Sequence, residues 1–130
     1  GGANDLASHG KKIIIITRHE KRRFPAHCDY ITSPGYIDGP DGRKKVGLPV
    51  PYPDILVVTD MTVMSIDKEQ GKLRVDKLMP GIAIKDVQAN MGFEPLISDK
   101  VMEVGTPSNQ ELRILWQEVD PHGQYVKNVE

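Results

Sequence analysis

The sequence is poor in aromatic residues and almost without cysteine. Its 130 residues include one Trp, two Phe and one Cys, against twelve Gly and ten Pro. The lone Cys28 excludes an intramolecular disulfide framework and fits a reducing compartment, so a cytoplasmic location is expected. No aliphatic run exceeds Ile13–Ile16, far short of the ~20 residues that span a bilayer. The lysines before that run introduce too short an apolar segment for a secretory leader, and no membrane association is expected. Neither sign of charge dominates: the net charge of −1 excludes a polycationic nucleic-acid binder. With so few aromatics, the core must rest on aliphatic packing or be completed by residues outside this chain. At 130 residues the length is that of one domain.

The charge is unevenly placed. Residues 1–45 hold nine Lys or Arg against five Asp or Glu, whereas residues 46–130 hold eight against thirteen. A basic front third suits an anionic ligand, although a solvated basic face explains the count equally well.

Lys12–Thr17 contains four consecutive isoleucines, each β-branched, and predicts a strand. Apolar on both faces, it reads as a central strand covered on both sides. The basic segment Arg18–Arg23 follows at its C-terminal end, where open α/β sheets collect ligands. The stretch 34–53 holds Pro34, Pro40, Pro49, Pro51 and Pro53, a density that argues against any helix or central strand. Asp54–Asp60 predicts a second strand, and residues 61–78 a hairpin turning at Asp67–Gly71. Ile84, Val87 and Met91 share a helical face, with Gly92 as the residue after the helix cap. Lys100–Val104 predicts a short strand. Thr106-Pro107 is expected to start a helix, with proline in its first turn and a capping box between Ser108 and Glu111; its apolar stripe is Leu112, Leu115, Trp116 and Val119, and it ends at Asp120-Pro121-His122-Gly123. At the front, Gly1-Gly2-Ala3-Asn4-Asp5 predicts a flexible turn and then a helix cap, and the start without Met reads as part of a longer chain. The expected class is α/β: an open, mostly parallel sheet flanked by helices, with an added hairpin, and an incomplete domain.

The chemistry-bearing residues are few. Gly1-Gly2 frees backbone N–H groups to approach an oxyanion or phosphate. The triplets Lys21-Arg22-Arg23 and Arg43-Lys44-Lys45 could clamp phosphates. His9, His19, His27, Cys28 and His122 match no closed zinc spacing, so no metal site is expected. Nucleophile-elbow, phosphate-loop, zinc-protease and dinucleotide-binding motifs are absent.

Four ordered stretches resemble the β-subunits of class I CoA-transferases, those of the glutaconate CoA-transferase type in particular. Residues 1–8 (GGANDLAS) resemble the end of a glycine-rich segment. Residues 12–25 (KIIIITRHEKRRFP) resemble the strand and basic loop after it. Residues 55–80 (ILVVTDMTVMSIDKEQGKLRVDKLMP) resemble the strand-and-hairpin run, and residues 81–93 (GIAIKDVQANMGF) the helix that follows. The resemblance implies that residues 1–130 are the C-terminal part of such a β-subunit, paired with an α-subunit in a hetero-oligomer. It implies CoA transfer between an acyl-CoA and a small carboxylic acid, with coenzyme A as substrate and product and no permanently bound cofactor. The nucleophilic glutamate lies upstream of the glycine segment in this family and outside this chain, so the chain alone is expected to be inactive. Gly2 and Ala3 would then donate backbone N–H groups to an oxyanion. Gly1, Gly2, Asn4, Arg18, Lys21, Arg22 and Arg23 would hold coenzyme A; of these, the basic loop rests on its charge and placement. Two alternatives are a ring-opening hydrolase of CoA thioesters on the same scaffold and a non-catalytic assembly or binding subunit. No nucleic-acid partner is expected.

Overall fold

The β-branched run forms strand β1 (Lys12–Ile16), and the DILVV segment forms β2 (Asp54–Val58), parallel to it with Ile14 opposite Leu56. The computed structural model describes residues 1–48 and 53–126. The hairpin is β3 (Thr62–Asp67) and β4 (Lys72–Leu78), closed by a turn that its own side chain builds. Asp67 Oδ1 accepts the N–H groups of Glu69 at 3.1 Å and Gln70 at 2.9 Å, and Gly71 takes a φ of +65° that favours glycine. β5 (Leu96–Glu103) is longer than the sequence suggests and runs parallel to β4. The sheet order is β1-β2-β3-β4-β5. The two parallel pairs lie at the edges and the antiparallel hairpin fills the centre, so the α/β sheet is mixed.

Register places the core. Ile15, Val57, Met64, Val75 and Ile97 form one row across the sheet on a single face. Helix α3 (Ile84–Ala89) lays Val87 against this face, and Met91 and Phe24 complete the buried cluster. Burying a Val or Met side chain of this kind contributes about 1.5–3 kcal/mol. The cluster is aliphatic apart from Phe24, as the composition requires.

The expectation of a central, covered β1 does not hold. β1 is an edge strand, and Ile14, Ile15 and Ile16 are 56%, 45% and 81% exposed. The sequence run supplies two apolar faces, but among the described residues no strand pairs with its outer edge. The total accessible surface agrees. It is 9595 Å², against roughly 6,900 Å² for a compact monomer of this mass by surface scaling.

Three local expectations also change. The front glycines are not a turn: α1 (Gly2–His9) begins at once, because Gly1 O accepts the N–H groups of Asn4 at 2.9 Å and Asp5 at 3.3 Å. The Pro/Gly-rich stretch does hold one helical turn, α2 (Gly42–Lys45). Pro34 and Pro40 precede its cap Asp41, so they interrupt none of its bonds, while Pro49 and Pro51 lie outside the described residues. Gly92 is not the residue after a helix cap, since α3 closes at Asn90. Its glycine is needed for close approach: a Cβ there would sit 2.6 Å from Ala26 N and 2.9 Å from Phe24 O. Gly92→Ala is therefore expected to destabilise the fold by about 1–3 kcal/mol in a urea titration, from backbone overpacking.

The helix expected from Thr106-Pro107 starts later, as α4 (Asn109–Ile114), with Pro107 before the cap instead of in the first turn; the capping box forms, Glu111 N–H donating to Ser108 Oγ at 3.3 Å and Ser108 N–H to Glu111 Oε2 at 2.8 Å. A π-helical turn, Leu115–Val119, continues it to the predicted stop at Asp120. The N–H groups of Val126, Tyr125 and Gln124 fasten the Asp120 carboxylate and hold its pKa below the usual range. Trp116 and Val119 in the predicted stripe remain exposed instead of packing on the sheet.

Candidate functional site

The loop after β1 is shaped by its attachments. Thr17 N–H donates to Val58 O at 3.1 Å and prolongs the β1–β2 ladder by one residue. Arg23 N–H donates to Glu20 O at 2.8 Å, closing a turn over Glu20–Arg23. Beyond it, Phe24 enters the core and its carbonyl accepts the Gly92 N–H at 2.7 Å. The basic side chains therefore stand on a turn fastened on both flanks.

Within that turn the structure brings together two of the predicted cations. Glu20 Oε1 lies 2.9 Å from Arg22 Nη2 and 2.7 Å from Arg23 Nε. Arg22 first, then Arg23, lowers the Glu20 pKa to about 2, and Glu20 in turn raises that of Arg22. These groups are in contact with solvent, so the pairs order the turn more than they stabilise the fold. Because the folded pKa is depressed, this contribution is complete above the ordinary value of 4.5 and is lost as pH falls through about 2. An NMR titration of the Glu20 carboxyl is expected to give a midpoint near 2, moving back toward 4.5 in the Arg22→Met, Arg23→Met double variant. Arg18 and Lys21 are exposed and form no ion pair among the described residues.

The glycine segment forms the N-terminal turn of α1, and Gly1, Gly2, Ala3 and Asn4 are all exposed. The first N–H groups of a helix have no carbonyl partner within it, which leaves those of Gly2 and Ala3 available to a ligand. The Asn4 side chain reaches along the helix, where Oδ1 accepts Ser8 Oγ–H at 3.1 Å. No hydrogen bond or ion pair among the described residues joins this helix end to the basic turn.

The second basic triplet splits. Arg43 is buried at 1% exposure and does not face a ligand. Its Nη1 donates to Ala7 O at 3.2 Å and Gly35 O at 3.1 Å, and its Nη2 to Ser8 O at 2.7 Å. A cation on the last carbonyls of α1 complements the helix dipole, so Arg43 anchors the C-terminal end of the helix whose other end carries the glycines. Lys44 and Lys45 are exposed. Nothing in the spacing of the triplet signals this division.

His19 is another residue whose part the sequence does not reveal. It is buried, its backbone N–H donating to Asp60 Oδ1 at 2.7 Å and its ring reaching Val87 O and Thr59 Oγ1. Among the described residues no three His, Cys, Asp or Glu side chains gather as a metal site. A groove on the sheet face opposite the core, near Lys12, Ser65 and Arg74, contains none of the predicted site residues. Its charges are largely paired, Lys68 with Asp54 and Arg74 with Asp67 and Asp76. No helix among the described residues is long and apolar enough to cross a membrane.

Comparison with known proteins gives this arrangement its context. Residues 1–90 match the Coenzyme A transferase family. The chain is 37% identical over 127 residues to the β-subunit of glutaconate CoA-transferase from Acidaminococcus fermentans, covering 98% of this chain and 47% of that protein. It is 32% identical over 115 residues to the β-subunit of 3-oxoadipate CoA-transferase from Pseudomonas knackmussii, covering 88% and 44%. The crystal structure of the Acidaminococcus fermentans glutaconate coenzyme A-transferase superposes with a TM-score of 0.88, over 98% of this chain and 48% of that one. IpdAB of Rhodococcus jostii RHA1 shares the fold at a TM-score of 0.73 and 21% identity, over 95% of this chain and 48% of that one. The chain spans about half the length of the curated relatives it matches. The family match over residues 1–90, joined to a sheet that follows the glutaconate enzyme from β1 to β5, means that the chain belongs to the coenzyme A transferase family.

Proposed function

We propose that residues 1–130 are the C-terminal part of a CoA-transferase β-type subunit, acting with an α-subunit to move CoA between an acyl-CoA and a small carboxylic acid. The similarity to the glutaconate CoA-transferase β-subunit, 37% identity over 98% of the chain, carries this reading. The exposed isoleucines of β1 support the idea that the working unit is larger than the chain.

In the proposed reaction a glutamate carboxylate from outside these residues attacks the thioester carbonyl, giving a tetrahedral oxyanion. Collapse expels CoA thiolate and leaves an acyl–glutamyl anhydride. The thiolate then attacks the glutamyl carbonyl, forming a glutamyl-CoA thioester and releasing the first carboxylate. The acceptor carboxylate repeats the two steps in reverse and leaves as the new acyl-CoA. The N–H groups of Gly2 and Ala3 stabilise the oxyanion at the α1 N-terminus, an effect often worth about 3 kcal/mol per donor. Gly1, Gly2 and Asn4 line the approach to that point. Arg18, Lys21, Arg22 and Arg23 hold the phosphates of coenzyme A. No step of this reaction needs a metal or resident cofactor. Without the glutamate, this chain alone does not turn over.

The test is to trap the adduct. The reconstituted two-subunit enzyme, incubated with acyl-CoA, should yield a borohydride- and hydroxylamine-sensitive glutamyl-CoA thioester. Acyl-CoA turnover with no such adduct would transfer the case to the ring-opening hydrolase. Absence of any turnover would favour a binding or assembly subunit.

A further inference from the structure

The geometry points to His19 as the positioning residue that fixes the basic turn for coenzyme A, an inference that rests on the proposed function. His19 is 6% exposed and joins three parts of the fold. Its backbone N–H donates to Asp60 Oδ1 at 2.7 Å in the β2–β3 turn. Its Nε2 lies 3.0 Å from Val87 O near the end of α3, and because a carbonyl only accepts, Nε2 carries the proton. Its Nδ1 lies 3.3 Å from Thr59 Oγ1. That hydroxyl accepts the N–H groups of Met61 at 3.1 Å and Thr62 at 3.0 Å and also reaches Thr62 O at 3.2 Å, so the ring contact ties His19 to the β2–β3 turn.

The other flank of the turn is linked to the same residue. The Phe24 ring lies 4.9 Å from the His19 ring, tilted by 30°, and Phe24 O is held by Gly92 N–H. The four residues between them, Glu20 to Arg23, are the turn itself. His19 thus acts at a distance from the ligand: it holds the backbone from which Arg18, Lys21, Arg22 and Arg23 project. Cations on a fixed backbone lose less freedom when an anion binds, and a loosened turn loses affinity without altering chemistry at the acyl carbon.

The experiment uses the two-subunit enzyme with two substrates, an acyl-CoA and the matching acyl-pantetheine, which lacks the nucleotide phosphates. His19→Phe keeps a ring beside Phe24 and removes both ring hydrogen bonds. It is expected to raise KM for acyl-CoA about tenfold, leave kcat within about twofold, and leave KM for acyl-pantetheine unchanged. His19→Gln, which retains an N–H donor in reach of Val87 O, should recover most of the loss and also serves if the Phe variant fails to fold. Equilibrium binding of CoA and pantetheine to the same proteins gives a readout independent of turnover and should show the same selective loss. A lowered melting temperature with unchanged KM and CoA affinity would overturn the inference and leave His19 a purely structural residue. Equal losses for both substrates would overturn it too. A wild-type enzyme that binds CoA without transferring it would instead sink the proposed function, with the binding comparison still deciding the role of His19. A wild-type enzyme that binds no CoA would overturn both.

Discussion

Gly2→Pro is expected to lower kcat for CoA transfer by about 10²–10³, the cost of removing one oxyanion donor, while KM for acyl-CoA stays near wild type. Gly2 is the first residue of α1, where proline fits the helical φ and its missing N–H interrupts no bond within the helix. The helix should therefore survive while the donor disappears, and circular dichroism with steady-state kinetics separates the two effects. Ala3→Pro, one position further in, should act the same way. If both variants turn over at the wild-type rate, the glycine segment is not the oxyanion site.

Arg43→Met carries the largest expected effect on stability, about 2–4 kcal/mol in a denaturant titration, because it leaves the carbonyls of Ala7, Ser8 and Gly35 without their donor. Lysine has similar reach but one compact ammonium group in place of a planar fork, so Arg43→Lys should recover little of the loss. The same side chain links stability to function. It grips the C-terminal end of α1, and the proposed oxyanion donors occupy the other end of that eight-residue helix. A loss below about 1 kcal/mol would mean that the carbonyls find other partners on relaxation.

What is legible in the sequence follows from how local each signal is. The hairpin turn is visible because Asp67 and Gly71 build it from within five residues, and the α4 start because Ser108 and Glu111 bond each other. The β-branched run announces β1, but its place in the sheet depends on neighbours, and four isoleucines look alike at an edge or a centre. Gly92 stands out in the sequence for a helix end, yet its actual partners, Phe24 and Ala26, lie more than sixty residues away. The basic loop is legible as charge, whereas the pairing of Glu20 with both arginines and the burial of His19 need three dimensions. Arg43 shows the reverse, a basic triplet whose first member the fold consumes for its own carbonyls.

The central claim is CoA transfer, and its most direct test is a balance of thioester and thiol. The two-subunit enzyme is given acyl-CoA and an isotopically labelled carboxylic acid, and labelled thioester and free CoA are measured together. The proposed function predicts one labelled CoA thioester formed for each acyl-CoA consumed, with no net release of free CoA. Free CoA appearing in step with acyl-CoA loss, and no label in the thioester, would contradict it.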